Sequence, residues 1–349
     1  MLFPLVAASA VVPSLLLVWY FHARDLNREP AAVIWATFGL GVAIVVPVLL
    51  CAWPLASVLK GVADPALRGV LDAIFTAAMP EEAWKLVVVA GFAARHKEFD
   101  EPMDGIVYGA IASLGFATLE NVLYVAGGGL GIAVLRAVTA VPGHAFMGAI
   151  MGWFVARARF GDPAERARNL TLAYLIPVAL HAAYDAPLLA MKESGKQASP
   201  LVAASVLISV ATLIFEWVWT VRLVRALRRE QVAVRAQSVA VEVAQVTTGT
   251  ASAAVAVAVV ETAQVLAPAY PPPPVNPKAG PLSIVWLVLG AILATVGGLF
   301  TLAVVIGIAV DKKPHENLGA VIGGTVLIGV LPLLAGVALF RLGLRRWSR

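Results

Sequence analysis

Charge is scarce in this chain: 13% of its 349 residues are Asp, Glu, Lys or Arg, against about 25% in an ordinary globular domain. That shortage excludes a protein wrapped in a solvated charged surface. Cysteine is scarcer still. Cys51, the single one, leaves no disulfide framework within the chain and no thiolate metal site. There is no HExxH, the strong local signature of a zinc peptidase helix. No basic residue precedes the first apolar run, which is also too long for a signal peptide, so that run is expected to be retained.

What the chain has instead is hydrocarbon. It is 60% hydrophobic with a mean hydropathy of +0.87, and several apolar runs reach the roughly 20 residues needed to cross a bilayer core. Nine candidate spans can be drawn: 2–21, 32–55, 67–94, 104–126, 129–156, 169–190, 200–221, 282–310 and 318–340. The expected fold is an all-α polytopic membrane protein. Its net charge of +5 does not point to nucleic acid, because the basic residues sit in alternate loops. Arg24 and Arg28, Arg95 and Lys97, Arg157 to Arg168, Arg222 to Arg235 and the tail from Arg341 share one side. The positive-inside bias then puts the N-terminus outside and the C-terminus in the cytoplasm.

Organisation follows from composition. Residues 1–225 read as a seven-helix core with short loops; residues 226–281 read as a cytoplasmic linker ending in the extended "APAYPPPPVNP"; residues 282–349 read as a two-span hairpin with a basic tail. The small residues of "GAVIGG" suit close helix packing in that hairpin.

Ionisable groups at membrane depth are costly and tend to mark function. "AAMPEEAWKLVVVAGFAAR", residues 77–95, poses the problem directly. Proline followed by acids is an ordinary helix start at a surface. A helix from Pro80 to Arg95 would, however, rise only about 22 Å, short of the core thickness. The span is therefore expected to run from about Arg68 to Arg95 with a break or kink at Pro80, which puts Glu81 and Glu82 inside the membrane. Counted from the same end, Glu81 and Glu82 lie about 20 Å deep, Glu120 about 24 Å, His144 about 20 Å, and His181 and Asp185 about 18 and 24 Å. Four helices thus bring ionisable groups to one level. Glu81 and Lys85 are four apart, in the favourable order for an ion pair. His181 and Asp185 share a face, so the carboxylate can orient the imidazole. Asn121 adjoins Glu120. Other charges are expected elsewhere: Arg136 at the outer interface, Glu216 near the inner surface, Arg24 to Glu29 in a solvated, self-paired loop, and His22, His96 and His315 at interfaces.

Two imidazoles and several carboxylates in a membrane cavity are the inventory for activating water. A zinc ion could take His144, His181 and one carboxylate, here Glu120, while a glutamate acts as base. A metal-free site, with Glu82 taking the proton directly and the histidines facing the oxyanion, stays open. A proton-coupled transporter and a non-catalytic membrane scaffold would use the same inventory.

Taken in order, "EEAWK", "DGIVYGAIASLGFATLEN" with FxxxE from Phe116 to Glu120, "PGHAFMGAIMGW" and "HAAYD" resemble the successive motifs of the PrsW family of intramembrane proteases. That family is related to the CAAX prenyl proteases and the bacterial self-immunity proteins, and "RDLNREP" is similar to its segment after the first span. The resemblance covers roughly residues 15–190. It implies a metal-dependent endopeptidase of a bacterial cytoplasmic membrane cutting membrane-anchored regulatory proteins. Its functional positions would be Glu81, Glu82, Glu120, His144 and His181, with Lys85, Asn121 and Asp185 orienting. Glutamate in FxxxE stands where the prenyl-protease branch has histidine, which argues against a CAAX substrate.

Overall fold

The computed structural model describes residues 2–195, 200–247, 326 and 330–348. Among these residues the regular structure is entirely helical. The elements are α1 (Leu2–Arg24), α2 (Ala31–Ala43), α3 (Val45–Leu59), α4 (Pro65–Asp72), α5 (Met79–Gly91), α6 (Pro102–Val138), α7 (Ala140–Phe160), α8 (Arg166–Ser194), α9 (Pro200–Thr247) and α10 (Leu331–Ser348). Five segments are long and apolar enough to cross a membrane: Ala31–Leu59, Pro102–Ala126, Gly131–Phe160, Pro163–Ser194 and Val202–Val239. The expected span 282–310 lies outside the described residues, as do 318–325 and 327–329 of the expected span 318–340.

The expected break at Pro80 takes another form. α4 passes into α5 through a π-helical stretch, Ala73–Ala78, so the chain stays helical. The proline ring cannot donate to the turn before it, and a widened turn absorbs the missing bond. α4 itself is started by Asp64, which accepts from Leu67 N at 2.8 Å, followed by Pro65; a side-chain acceptor and a proline at these positions fix a helix start. This segment holds Arg68, Asp72, Glu81, Glu82 and Lys85, and that charge content keeps it out of the apolar set above.

α6 is the axis of the bundle and packs chiefly on α7, α1 and α2. It begins with a reciprocal capping box between Glu101 and Asp104, which satisfies two otherwise orphaned backbone donors. From Met103 to Ala117 it is buried on every side. Glycine makes the α6–α7 contact possible: a Cβ on Gly109 would stand 2.1 Å from Gly148 O, and one on Gly152 would stand 1.7 Å from Gly105 O. Backbones this close gain dispersion contacts that larger residues would forbid. Arg136 Nε and Nη2 reach Asn121 and Glu120, although sixteen residues of straight helix would separate them by about 24 Å. α6 therefore bends between Asn121 and Arg136, across the run "GGGLG"; its first part makes one candidate span, and its short second part joins α7 in the next, Gly131–Phe160.

The outside of the bundle is apolar. Trp19, Trp35, Leu50, Trp53, Leu207, Phe215 and Trp217 are all exposed, as expected of a surface whose solvent is lipid. α9 runs without interruption past the boundary expected near residue 225, to Thr247. Gln231 in that extension is buried against Asp25 and Glu101, so the first part of the expected linker is docked helix. Residues 248–281 lie outside the described residues.

Candidate active site

Four helices deliver the polar residues to one place. α5 carries Glu81, Glu82 and Lys85, whose first turn is aimed inward because the π-helical stretch and Pro80 precede it. α6 brings Phe116 and Glu120, α7 brings His144, and α8 brings His181 and Asp185. Glu82 and Lys85 are fully buried, at 0% exposure, and Glu81, His144 and His181 are nearly so.

Lys85 is the hub. Its ammonium lies 2.7 Å from Glu82 Oε1, 3.3 Å from Glu81 Oε2 and 3.0 Å from His144 Nδ1, and 4.4 Å from the centre of the Phe116 ring. Three donors and a cation–π face use the whole valence of a lysine. With Nδ1 accepting from the ammonium, His144 carries its proton on Nε2 and donates it to Glu120 Oε2 at 2.9 Å. Glu120 also receives Arg136 Nη2 at 2.7 Å. His181 lies between two acids: Nδ1 is 2.9 Å from Glu82 Oε1 and Nε2 is 3.1 Å from Asp185 Oδ2. Both contacts need a proton, so this chain of groups holds at least one proton shared between imidazole and carboxyl. The two imidazole rings meet edge to face, 5.3 Å between centres.

The expected candidates are therefore brought together, but with different partners from those pairing rules suggest. Glu81, Glu82, His144 and His181 form the convergent donor group, with one atom of each within 4.8 Å of all the others. Glu120 does not enter that group. It meets His144 from the Nε2 side, where a carboxylate orients a ring. Asn121 ties helices together instead: its Nδ2 donates to Ala10 O of α1 at 2.9 Å, and its Oδ1 accepts from Arg136.

Two residues set aside on sequence grounds belong here. Arg136, expected at the outer interface, pairs with Glu120. Its signal was isolation, since no acid lies within a turn of it and an arginine in an apolar run must reach for one. Glu216 on α9 is 1% exposed, and neither carboxylate oxygen has a hydrogen-bond partner. It packs beside Gly143, with Oε2 placed 3.6 Å from where a Cβ would be, and lies within electrostatic reach of His181, Glu82 and Asp185. Arg222 is six residues on, about 120° round the helix, and could not have paired with it.

Two imidazoles with two carboxylates are a fitting donor set for zinc, and Glu82 Oε2 is buried without a partner, open to a ligand. Ligation through His144 would require the Lys85 ammonium to withdraw from Nδ1.

Residues 29–215 match the description "PrsW family intramembrane metalloprotease", more than half of the chain. The chain belongs to the PrsW family. Among the curated relatives, Protease PrsW of Geobacillus kaustophilus is 40% identical over 196 residues, covering 56% of this chain and 84% of that protein. Protease PrsW of Bacillus subtilis is 36% identical over 181 residues, covering 52% and 81%, and that of Clostridioides difficile 28% over 184 residues, covering 50% and 76%. No solved structure matches the chain. Every residue of the convergent group falls inside the PrsW match, and Glu216 is the first residue beyond it.

Proposed function

We propose that this PrsW family member hydrolyses a peptide bond of a membrane-anchored protein inside the bilayer of a bacterial cytoplasmic membrane. The observation that carries the reading is the meeting of two glutamates, two histidines and a lysine from three helices within a few ångströms. Glu82 is the base: Oε1 is held by Lys85 and His181, while Oε2 is free to take the proton of a water. General-base removal of that proton contributes typically ~10²–10⁴-fold. The Lys85 ammonium and the His181 ring are the positive or proton-bearing groups nearest the developing oxyanion, in a site where low polarity strengthens their effect. The proton shared along Glu82, His181 and Asp185 supplies the leaving amine. Glu120 and Arg136 hold His144 in one tautomer. Zinc, if bound, would be held by His144, His181 and one or both of Glu81 and Glu82, and would supply Lewis acidity toward a carbonyl or water.

The same reading includes nine spans, N-terminus outside and C-terminus cytoplasmic, from the placement of the basic loops. The transporter alternative shares the proton-bearing chain but gives no role to an unpartnered base oxygen beside two cationic groups.

Purified protein, assayed for bound metal and for cleavage of a tagged single-pass helix with and without chelator, tests the proposal. Glu82→Ala and His144→Ala are expected to abolish cleavage while membrane insertion is unchanged. Full activity in both variants rejects it. Activity that survives chelation, in protein free of metal, selects the metal-free base mechanism.

A further inference from the structure

A second group of carboxylates lies at the opposite end of α6. Asp25 and Glu29 come from the loop between α1 and α2, and Asp104 from the first turn of α6; they are 2%, 5% and 0% exposed. In the loop expected to be solvated and self-paired, the two acids are therefore buried, whereas Arg24 and Arg28 stay exposed. One oxygen from each acid lies within 4.8 Å of the other two. Asp104 is sixteen residues from Glu120, about 24 Å along α6, so this is a separate place from the convergent group above.

Neighbours satisfy only part of the cluster. Asp25 Oδ1 accepts from Asn27 N at 2.9 Å and Gln231 Nε2 at 2.7 Å. Asp104 Oδ2 accepts from Asp100 N at 2.7 Å and Glu101 N at 2.8 Å. Tyr108 donates to Glu29 Oε2. Asp25 Oδ2 and Asp104 Oδ1 are buried with no partner. Among the described residues no Lys, Arg or His nitrogen makes an ion pair with any of the three. One oxygen of Glu29 and one of Asp104 lie within 4.8 Å of each other, a proximity of like charges that favours a proton or a cation between them.

We propose that Asp25, Glu29 and Asp104 bind a hard divalent cation, of the calcium or magnesium class, which clamps the α1–α2 loop and the α9 extension to the start of α6. The donors are all oxygens, which suits these ions and not zinc or copper. Three carboxylates leave coordination positions for water. The bare oxygens of Asp25 and Asp104 are the ligands the protein leaves unmatched, and Gln231 fixes the Asp25 carboxylate from the α9 side. A carboxylate must be deprotonated to hold a cation, so cation and proton compete for the same oxygens.

The test uses the full chain in detergent after chelator treatment, titrated separately with calcium and with magnesium by calorimetry and by thermal unfolding. One saturable site for at least one ion, with a raised melting temperature and an affinity that falls from pH 8 to pH 5, is expected. Asp25→Asn and Asp104→Asn should each weaken binding by about tenfold or more, while Glu82→Gln leaves it unchanged. Absence of saturable binding of both ions at millimolar concentration overturns the proposal, as does binding that Glu82→Gln weakens and the two aspartate variants do not. The wild-type titration decides even if an aspartate variant fails to fold.

Discussion

Glu81 and Glu82 are buried with a lysine in contact and two histidines beside them, whereas Asp25, Glu29 and Asp104 are buried with no basic nitrogen in ion-pair contact. The difference lies in how charge is balanced. Removing a carboxylate from water costs several kcal/mol even after relaxation, and at membrane depth no solvent can share that cost. The first group carries its compensation in the covalent chain, as Lys85 and Arg136. The second has Arg159 within electrostatic reach of Asp104 but no basic group in ion-pair contact, which leaves its negative charge open to protons or to an ion from outside. A built-in ammonium keeps the first group balanced whatever the surroundings contain, while an unbalanced group responds to them.

Removing the built-in cation should produce the largest effect. Lys85→Met keeps the volume but strips the partner from Glu82 and Glu81. Breaking a buried pair on one side costs about 3–5 kcal/mol, read as a large fall in melting temperature together with lost cleavage. A Lys85→Met protein as stable as wild type would mean that the two carboxylates are not charged in the fold, and the contrast between the groups would collapse.

A smaller effect should come from pH at the unbalanced group. Glu29 and Glu101, both outside the spanning helices, have carboxyls raised by burial from 4.5 to about 7. A raised carboxyl binds its proton more tightly folded than unfolded, so its contribution is full below about pH 4.5 and is lost as pH rises through about 7. In chelator, thermal unfolding of wild type against Glu29→Gln should show a difference of the order of 1 kcal/mol between pH 5 and pH 8, after solvent screening. Wild type should lose more stability at the higher pH. The opposite sign would mean that Glu29 is already compensated.

The mildest change should be at Glu216, whose two oxygens have no partner. Replacing an unsatisfied buried polar group by a hydrocarbon of similar size is neutral or stabilising. Glu216→Leu is expected to raise the melting temperature slightly while reducing cleavage. Unchanged cleavage would remove Glu216 from the site and leave it a packing residue.

Depth counting along each span was enough to put Glu81, Glu82, Glu120, His144, His181 and Asp185 at one level, because a helix advances by a fixed rise and basic loop residues mark the membrane edge. It could not assign partners. Lys85 was legible as a partner for Glu81 by spacing, yet it bonds Glu82 more closely and also His144, because α7 approaches α5 at a height no single-helix rule contains. The pairing of Arg136 with Glu120 was missed because it joins two spans across the bend in α6, a contact no single-helix rule contains. Glu29 and Asp25 read as a polar turn, since nothing local reveals that α9 continues past residue 225 to cover them.

By itself the sequence determined a helical membrane protein, a set of ionisable residues from several helices that the fold brings together, and the ordered motifs of a PrsW protease, all of which depend on local periodicity and on the cost of polar groups in hydrocarbon. Tertiary structure alone decided which oxygen faces which nitrogen and which acids go without a cation. Those outcomes depend on distances between helices, and interhelical distance is set by packing, down to the glycine contacts of α6 and α7, rather than by any single segment.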